Sequence, residues 1–137
     1  MSALDEYQEM AEEDCKLDHN KLDRKAAEIP VLTAKYLRFL SKEKIKLKAL
    51  DQQRSMIFRE RYSYYAGYAD ECYQYVLQKS EIKAFLEGDT DLLEIEAKVE
   101  VQKAIVDYLT EVVNILNRIG FSIKNWIDFN KFQAGGY

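Results

Sequence analysis

Cysteine, histidine, proline and glycine are all scarce in this chain, and each scarcity removes a class of protein. Two Cys, at positions 15 and 72, give neither the close spacing of a zinc site nor a disulfide framework, so a reducing cytoplasm is the simple expectation. A single His, His19, excludes multi-histidine metal sites and suits a cap or surface role in a turn. Neither GxxxxGK nor GxGxxG occurs, so no glycine-rich loop is present to cradle a nucleotide. No apolar run reaches the roughly 18 residues of a membrane span. The first residues, Met1-Ser2-Ala3-Leu4-Asp5-Glu6, are acidic where a signal peptide would be basic and then apolar. One Pro and five Gly among 137 residues, with 47% apolar and 32% charged, describe a folded chain of one domain.

Catalytic groupings are equally thin. The acid pairs Glu12/Glu13 and Glu94/Glu96 lie among solvated charges, and Cys15 and Cys72 lack the neighbouring His or basic pocket of a reactive thiolate. A non-enzyme with no cofactor and no metal is expected.

What is present reads as helix, and an all-α fold follows. Ser2 caps a first helix over 2–15, with Asp5 and Glu6 where the macrodipole favours acids. Its apolar stripe of Leu4, Tyr7 and Met10 is thin. Residues 17–20 form a turn and cap, and a second helix runs to about Glu28. Pro30 breaks or kinks that helix, or serves as the first residue of the next. A long helix from Val31 to about Tyr65 would span roughly 50 Å, and Gly67 ends it as a left-handed cap. Ser80 caps a short helix stopped by Gly88, Asp89 or Thr90 caps another over about 91–118 terminated by Gly120, and Ser122 caps the last.

The last two helices form a hydrophobic C-terminal pair that is apolar on more than one face, so most of their sides need cover. Self-association through Ile105, Leu109, Val112, Val113, Leu116, Ile123, Trp126, Ile127, Phe129 and Phe132 is expected, the alternative being a monomeric core closed by the N-terminal helices. Within the single domain, residues 1–67 then form acidic and basic helices, and 79–135 the helices of a homo-oligomer.

The net charge of −4 conceals a strong asymmetry. Residues 1–34 hold nine acids against four bases, a net of −5, and residues 35–61 hold nine bases against three acids, a net of +6. An acidic protein with one concentrated basic segment is suited to a local polyanion contact. In Phe58-Arg59-Glu60-Arg61-Tyr62-Ser63-Tyr64-Tyr65, cations and rings share one short segment. Single-stranded nucleic acid is held by that combination, cations following the backbone while rings stack on splayed bases. The candidate contacts are Lys42, Lys44, Lys46, Lys48, Arg54, Arg59, Arg61, Tyr62 and Tyr65. The competing reading is a helical scaffold or adaptor that binds only protein. Its basic helix would meet an acidic partner or the acidic 1–34 segment of a neighbouring copy, and its tyrosines would be core.

Tyr64-Tyr65-Ala66-Gly67, Lys79-Ser80-Glu81-Ile82-Lys83, Asp89-Thr90-Asp91 and Ile119-Gly120-Phe121-Ser122-Ile123-Lys124, together with the tail from Asp128 to Phe132 and Ala134-Gly135, resemble the UvsY family. These are recombination mediators of T-even-like bacteriophages, and the resemblance spans about residues 17–135. It implies a ring-like, non-catalytic homo-oligomer in the cytoplasm of the infected host. Such a protein binds single-stranded DNA, contacts a RecA-like recombinase and the phage single-strand-binding protein, and helps the first displace the second. The family's Lys-Ala-Arg-Leu type strand-binding motif falls on Arg59, Glu60, Arg61 and Tyr62. Arg61 matches it, Arg59 keeps the charge of Lys, and Glu60 departs by placing an acid between two bases. The Tyr-rich stretch between Gly67 and Lys79 departs as well.

Overall fold

The computed structural model describes residues 2–135, and every regular element among them is helical. In order these are α1 (Ala3–Asp14), a 3₁₀ turn (His19–Lys21), α2 (Leu22–Ala66), α3 (Lys79–Glu87) and α4 (Thr90–Gln133). The all-α class is the one expected. No helix among the described residues is long and apolar enough to cross a membrane.

Local chemistry sets most of the boundaries. The Ser2 hydroxyl accepts the Asp5 amide N–H at 3.2 Å and the Asp5 carboxylate reaches back to Ser2, a reciprocal cap that starts α1. Asp18 caps the 3₁₀ turn by accepting from the Asn20 amide at 2.9 Å. α2 stops at Gly67, whose φ of +83° is open to glycine, and the Tyr68 N–H closes the end on the Ser63 carbonyl at 2.9 Å.

Three expected boundaries are corrected. α2 continues uninterrupted through Pro30, where a break, a kink or a new start was expected. An interior proline costs about 3 kcal/mol, and here burial on either side outweighs it. Ile29 and Tyr36 are both buried, and the Ile29 methyl lies 3.6 Å from where a Cβ on Gly120 would stand. α4 likewise continues through Gly120 and Ser122 instead of ending and restarting there. Glycine inside a helix costs only about 1 kcal/mol relative to alanine, less than burial of Leu116 and Ile123 on the same helix returns. Finally, α3 is capped by Gln78, not Ser80, with the Gln78 N–H donating to the Glu81 carboxylate at 3.3 Å.

The described residues sort into two compact units. One takes those up to Glu43 and those from Ala104 onward, and the other is Lys44–Lys103. The boundaries differ from the expected division at residues 67 and 79, because α2 and α4 each contribute to both units.

In the first unit Ala11, Leu22, Ile29, Tyr36 and Leu40 are buried with Ile105, Val106, Leu109, Val112, Leu116 and Ile123. Ile105, Leu109, Val112, Leu116 and Ile123, five positions assigned to a subunit interface, are therefore core of the subunit itself. Val113 and Ile127 are half-buried, while Trp126, Phe129 and Phe132 remain on the surface. The Asp14 carboxylate organises this unit's polar contacts. It accepts from the Tyr36 hydroxyl at 2.7 Å and from Lys35 Nζ at 2.8 Å, while Lys25 donates to its backbone carbonyl. Burial alone would raise the Asp14 pKa, but the hydrogen bonds from Lys35 and Tyr36 outweigh it and hold the carboxyl below its ordinary range. Tyr7 is pushed up to about 12 by burial and by its 3.0 Å hydrogen bond to Glu43. At the other end of the unit, the His19 ring meets Trp126 edge-on at 5.4 Å.

Tyr36 has no exposed surface, so its hydroxyl depends wholly on Asp14. Asp14→Ala should lower unfolding free energy by about 1–3 kcal/mol, read as an earlier urea midpoint, and Asp14→Asn should lose less.

Candidate nucleic-acid interface

The basic segment winds around α2, and the helix period divides its charges. Lys44, Lys48, Ser55, Arg59 and Tyr62 recur at helical spacing and share one face. Lys44, Lys48 and Arg59 are exposed on it. Lys46, two residues from each of the first two, lies about 200° around the helix. Arg54 is half-buried, its guanidinium 3.5 Å from the Asp51 carboxylate one turn back. Lys42 is exposed but belongs to the first unit.

Arg61 and Tyr65, both expected to meet the strand, are committed to the fold instead. Arg61 Nε lies 2.8 Å from Asp89 Oδ2, and the Tyr65 hydroxyl donates to the same oxygen at 2.7 Å. The guanidinium also sits 4.4 Å from the centre of the Tyr64 ring. Asp89 Oδ1 accepts the Leu92 amide at 3.1 Å, so this carboxylate caps α4 while it holds the end of α2. Hydrogen bonds to Tyr65 and Asp89 hold the Arg61 cation firmly charged. Burial alone would raise the Asp89 pKa, but donation from Tyr65, Arg61 and the Leu92 N–H outweighs it and keeps the carboxyl low.

Glu60 takes no place on the Lys44–Arg59 face. It lines a carboxylate-rich recess with Arg61, Asp91, Glu94 and Lys98, a recess that Arg59 does not line. Tyr62 is half-buried against the apolar cluster of Ile82, Leu86, Leu92 and Ile95. Its ring stacks on Phe58 with centroids 6.3 Å apart and planes inclined by 26°.

Lys79 and Lys83 escaped the charge-based reading, and Phe58, one ring of the cation-and-ring segment, was not among its candidate contacts. All three line a groove of about 380 Å³ with Tyr62, Ile82 and Leu86. The signal was a Lys–Lys pair four residues apart on a short helix. Residues 62–100 hold nine acids against three bases, and averaging over that acidic stretch erased it.

The profile of the family described as "Recombination, repair and ssDNA binding protein UvsY" matches residues 10–136. The chain is 28% identical over 134 residues to the recombination protein uvsY of Enterobacteria phage T4, covering 96% of this chain and 98% of that protein. Among solved structures, one crystal form of the bacteriophage T4 recombination mediator protein UvsY aligns with a TM-score of 0.90 at 27% identity, over 98% of this chain and 99% of that one. A second crystal form gives 0.88 at 26% identity, over 96% and 99%.

The folded-state pKa of Asp89 lies below its unfolded value of about 3.9. Its stabilisation is therefore present above that pH and is lost as pH falls through the lower folded value. Asp89→Asn should lose about 2 kcal/mol or more at neutral pH, and its deficit against wild type should shrink in urea titrations carried below pH 3.

Proposed function

The chain belongs to the UvsY family, and from that premise we propose that it binds single-stranded DNA and helps load a RecA-like recombinase onto strands covered by single-strand-binding protein. The observation that carries this reading is the exposed Lys44–Lys48–Arg59 face of α2 beside the stacked Phe58–Tyr62 rings. Phosphates lie along the cations and bases meet the rings, a combination that favours a strand whose bases are free to stack over a closed duplex.

The mediator acts as a ring-like homo-oligomer in the cytoplasm of the infected host, without catalysis or cofactor. Each subunit holds the strand weakly, and linked copies gain avidity through effective concentration. Extending the strand across several copies loosens the single-strand-binding protein and presents DNA to the recombinase. The copies meet through the apolar surface left over by the core. That surface includes Trp126, Phe129 and Phe132, with Ile127 half-buried beside them and Val113 half-buried more than three turns earlier on α4.

A fluorescent oligonucleotide, single-stranded and duplex, titrated across a salt series tests the reading. Wild type should prefer the single strand. The variant carrying Lys44→Ala, Lys48→Ala and Arg59→Ala should bind at least tenfold more weakly at low salt. Its salt slope should be shallower by about 2, at roughly 0.7 for each phosphate no longer neutralised. Equal binding by the two proteins would remove this face from the interface, and no binding by wild type even at low salt would leave a protein-only adaptor as the better reading. Replacing Trp126, Phe129 and Phe132 together by Ala should convert the assembly to smaller species in sedimentation velocity while helix content is kept. An unchanged sedimentation profile would remove these residues from the interface.

A further inference from the structure

Phe58 stands half exposed between two hollows of the second unit. One, of about 380 Å³, is lined by Tyr62, Lys79, Ile82, Lys83, Leu86 and Leu92, with Glu87 and Glu96. The other, of about 330 Å³, shares Phe58, Leu92 and Glu96 and adds Arg54 and Ser55. The larger hollow has the make-up of a base pocket, with an apolar floor of Ile82, Leu86 and Leu92 and an aromatic wall of Phe58 on Tyr62. Its rim is cationic where α3 begins, because Lys79 and Lys83 follow one another by a helical turn. Glu87 is the next residue on that face, so charge along α3 runs from positive to negative over its nine residues.

We propose that this groove between α2 and α3 is a nucleobase subsite, in which one base stacks on Phe58 while Lys79 and Lys83 hold the phosphates beside it. The inference rests on the strand-binding reading above and extends it from α2 to a second helix. Two observations favour nucleic acid as the occupant. Phe58 and Tyr62 flank Arg59 on α2, so the groove opens directly from the Lys44–Arg59 face. The carboxylates of Glu87 and Glu96 repel phosphate, which confines the backbone to the lysine end, and they accept from the exocyclic amino groups of cytosine or adenine. The groove thus orients the strand as well as holding it.

The test compares a standard single-stranded oligonucleotide with one of equal length whose sugars carry no bases. Wild type should bind the standard oligonucleotide about fivefold or more tightly than the abasic one, the lower end for one stacked base. Phe58→Leu should reduce that preference and leave abasic binding unchanged. The double variant Lys79→Ala with Lys83→Ala should flatten the salt slope by about 1.4. These side chains are exposed at the surface or rim, and circular dichroism checks that each variant folds. As a second measurement, an oligonucleotide bearing 5-iodouracil is photo-crosslinked to the unaltered chain and the adduct located by mass spectrometry. Adducts on Phe58 or Tyr62 support the subsite, and adducts confined to other aromatics overturn it. If the α2 face variants weaken binding but Phe58→Leu and the lysine pair do not, the subsite alone is overturned and the groove faces a protein. Absence of any single-strand binding by wild type overturns both this inference and the reading it rests on.

Discussion

A single buried carboxylate, Asp89, ties together the second unit. Its two oxygens receive Arg61 and Tyr65 from the end of α2 and the Leu92 amide from the start of α4, and its own N–H donates to the last turn of α3 at Leu86. Three helices are thereby fixed by one side chain and its backbone. A charge so placed is tolerable only because every partner is present, since removing one would leave the rest desolvated without compensation. The first unit uses the same chemistry in another place. Asp14, at the end of α1, receives a tyrosine hydroxyl at 2.7 Å and a cationic nitrogen at 2.8 Å from neighbouring residues of α2. Each unit therefore has an aspartate at a helix end that gathers one tyrosine and one cation from the same long helix.

That arrangement decides which charges are left for a ligand. Arg61 looked, in sequence, like the best phosphate ligand of the basic segment, because it stands among aromatics and has an outright counterpart in the family motif. The aromatics around it are the reason it is unavailable. Tyr64 and Tyr65 are the walls of its own site, and the acid that neutralises it lies 28 residues away in sequence. Arg59, two positions earlier, turns outward with Lys44 and Lys48, and helical period alone would have separated the two arginines. Lys79 and Lys83 stayed invisible for the converse reason. Their relevance comes from facing Phe58 and Tyr62 across a groove, which no linear charge count registers.

The helical class, the Ser2 cap and the stop at Gly67 were legible because each is a local matter of a few side chains and one backbone angle. The continuity of α2 and α4 was not. Pro30 and Gly120 are genuine weaknesses in a helix, but the penalty each carries is smaller than what burial of Ile29, Tyr36, Leu116 and Ile123 returns. The apolar breadth of α4 was read correctly as a demand for cover. Most of that cover comes from the subunit's own α2, and only the last turns keep large rings at the surface.

One of those rings is the sole indole in the chain. Trp126 sits partly exposed, with His19, itself the sole imidazole, edge-on to it and Phe129 perpendicular at 6.3 Å. Indole emission depends on the polarity around the ring, and no second tryptophan contributes a background. The molecule thus carries its own optical label at one address on α4, where the arrival of an apolar neighbour would register as a change of colour.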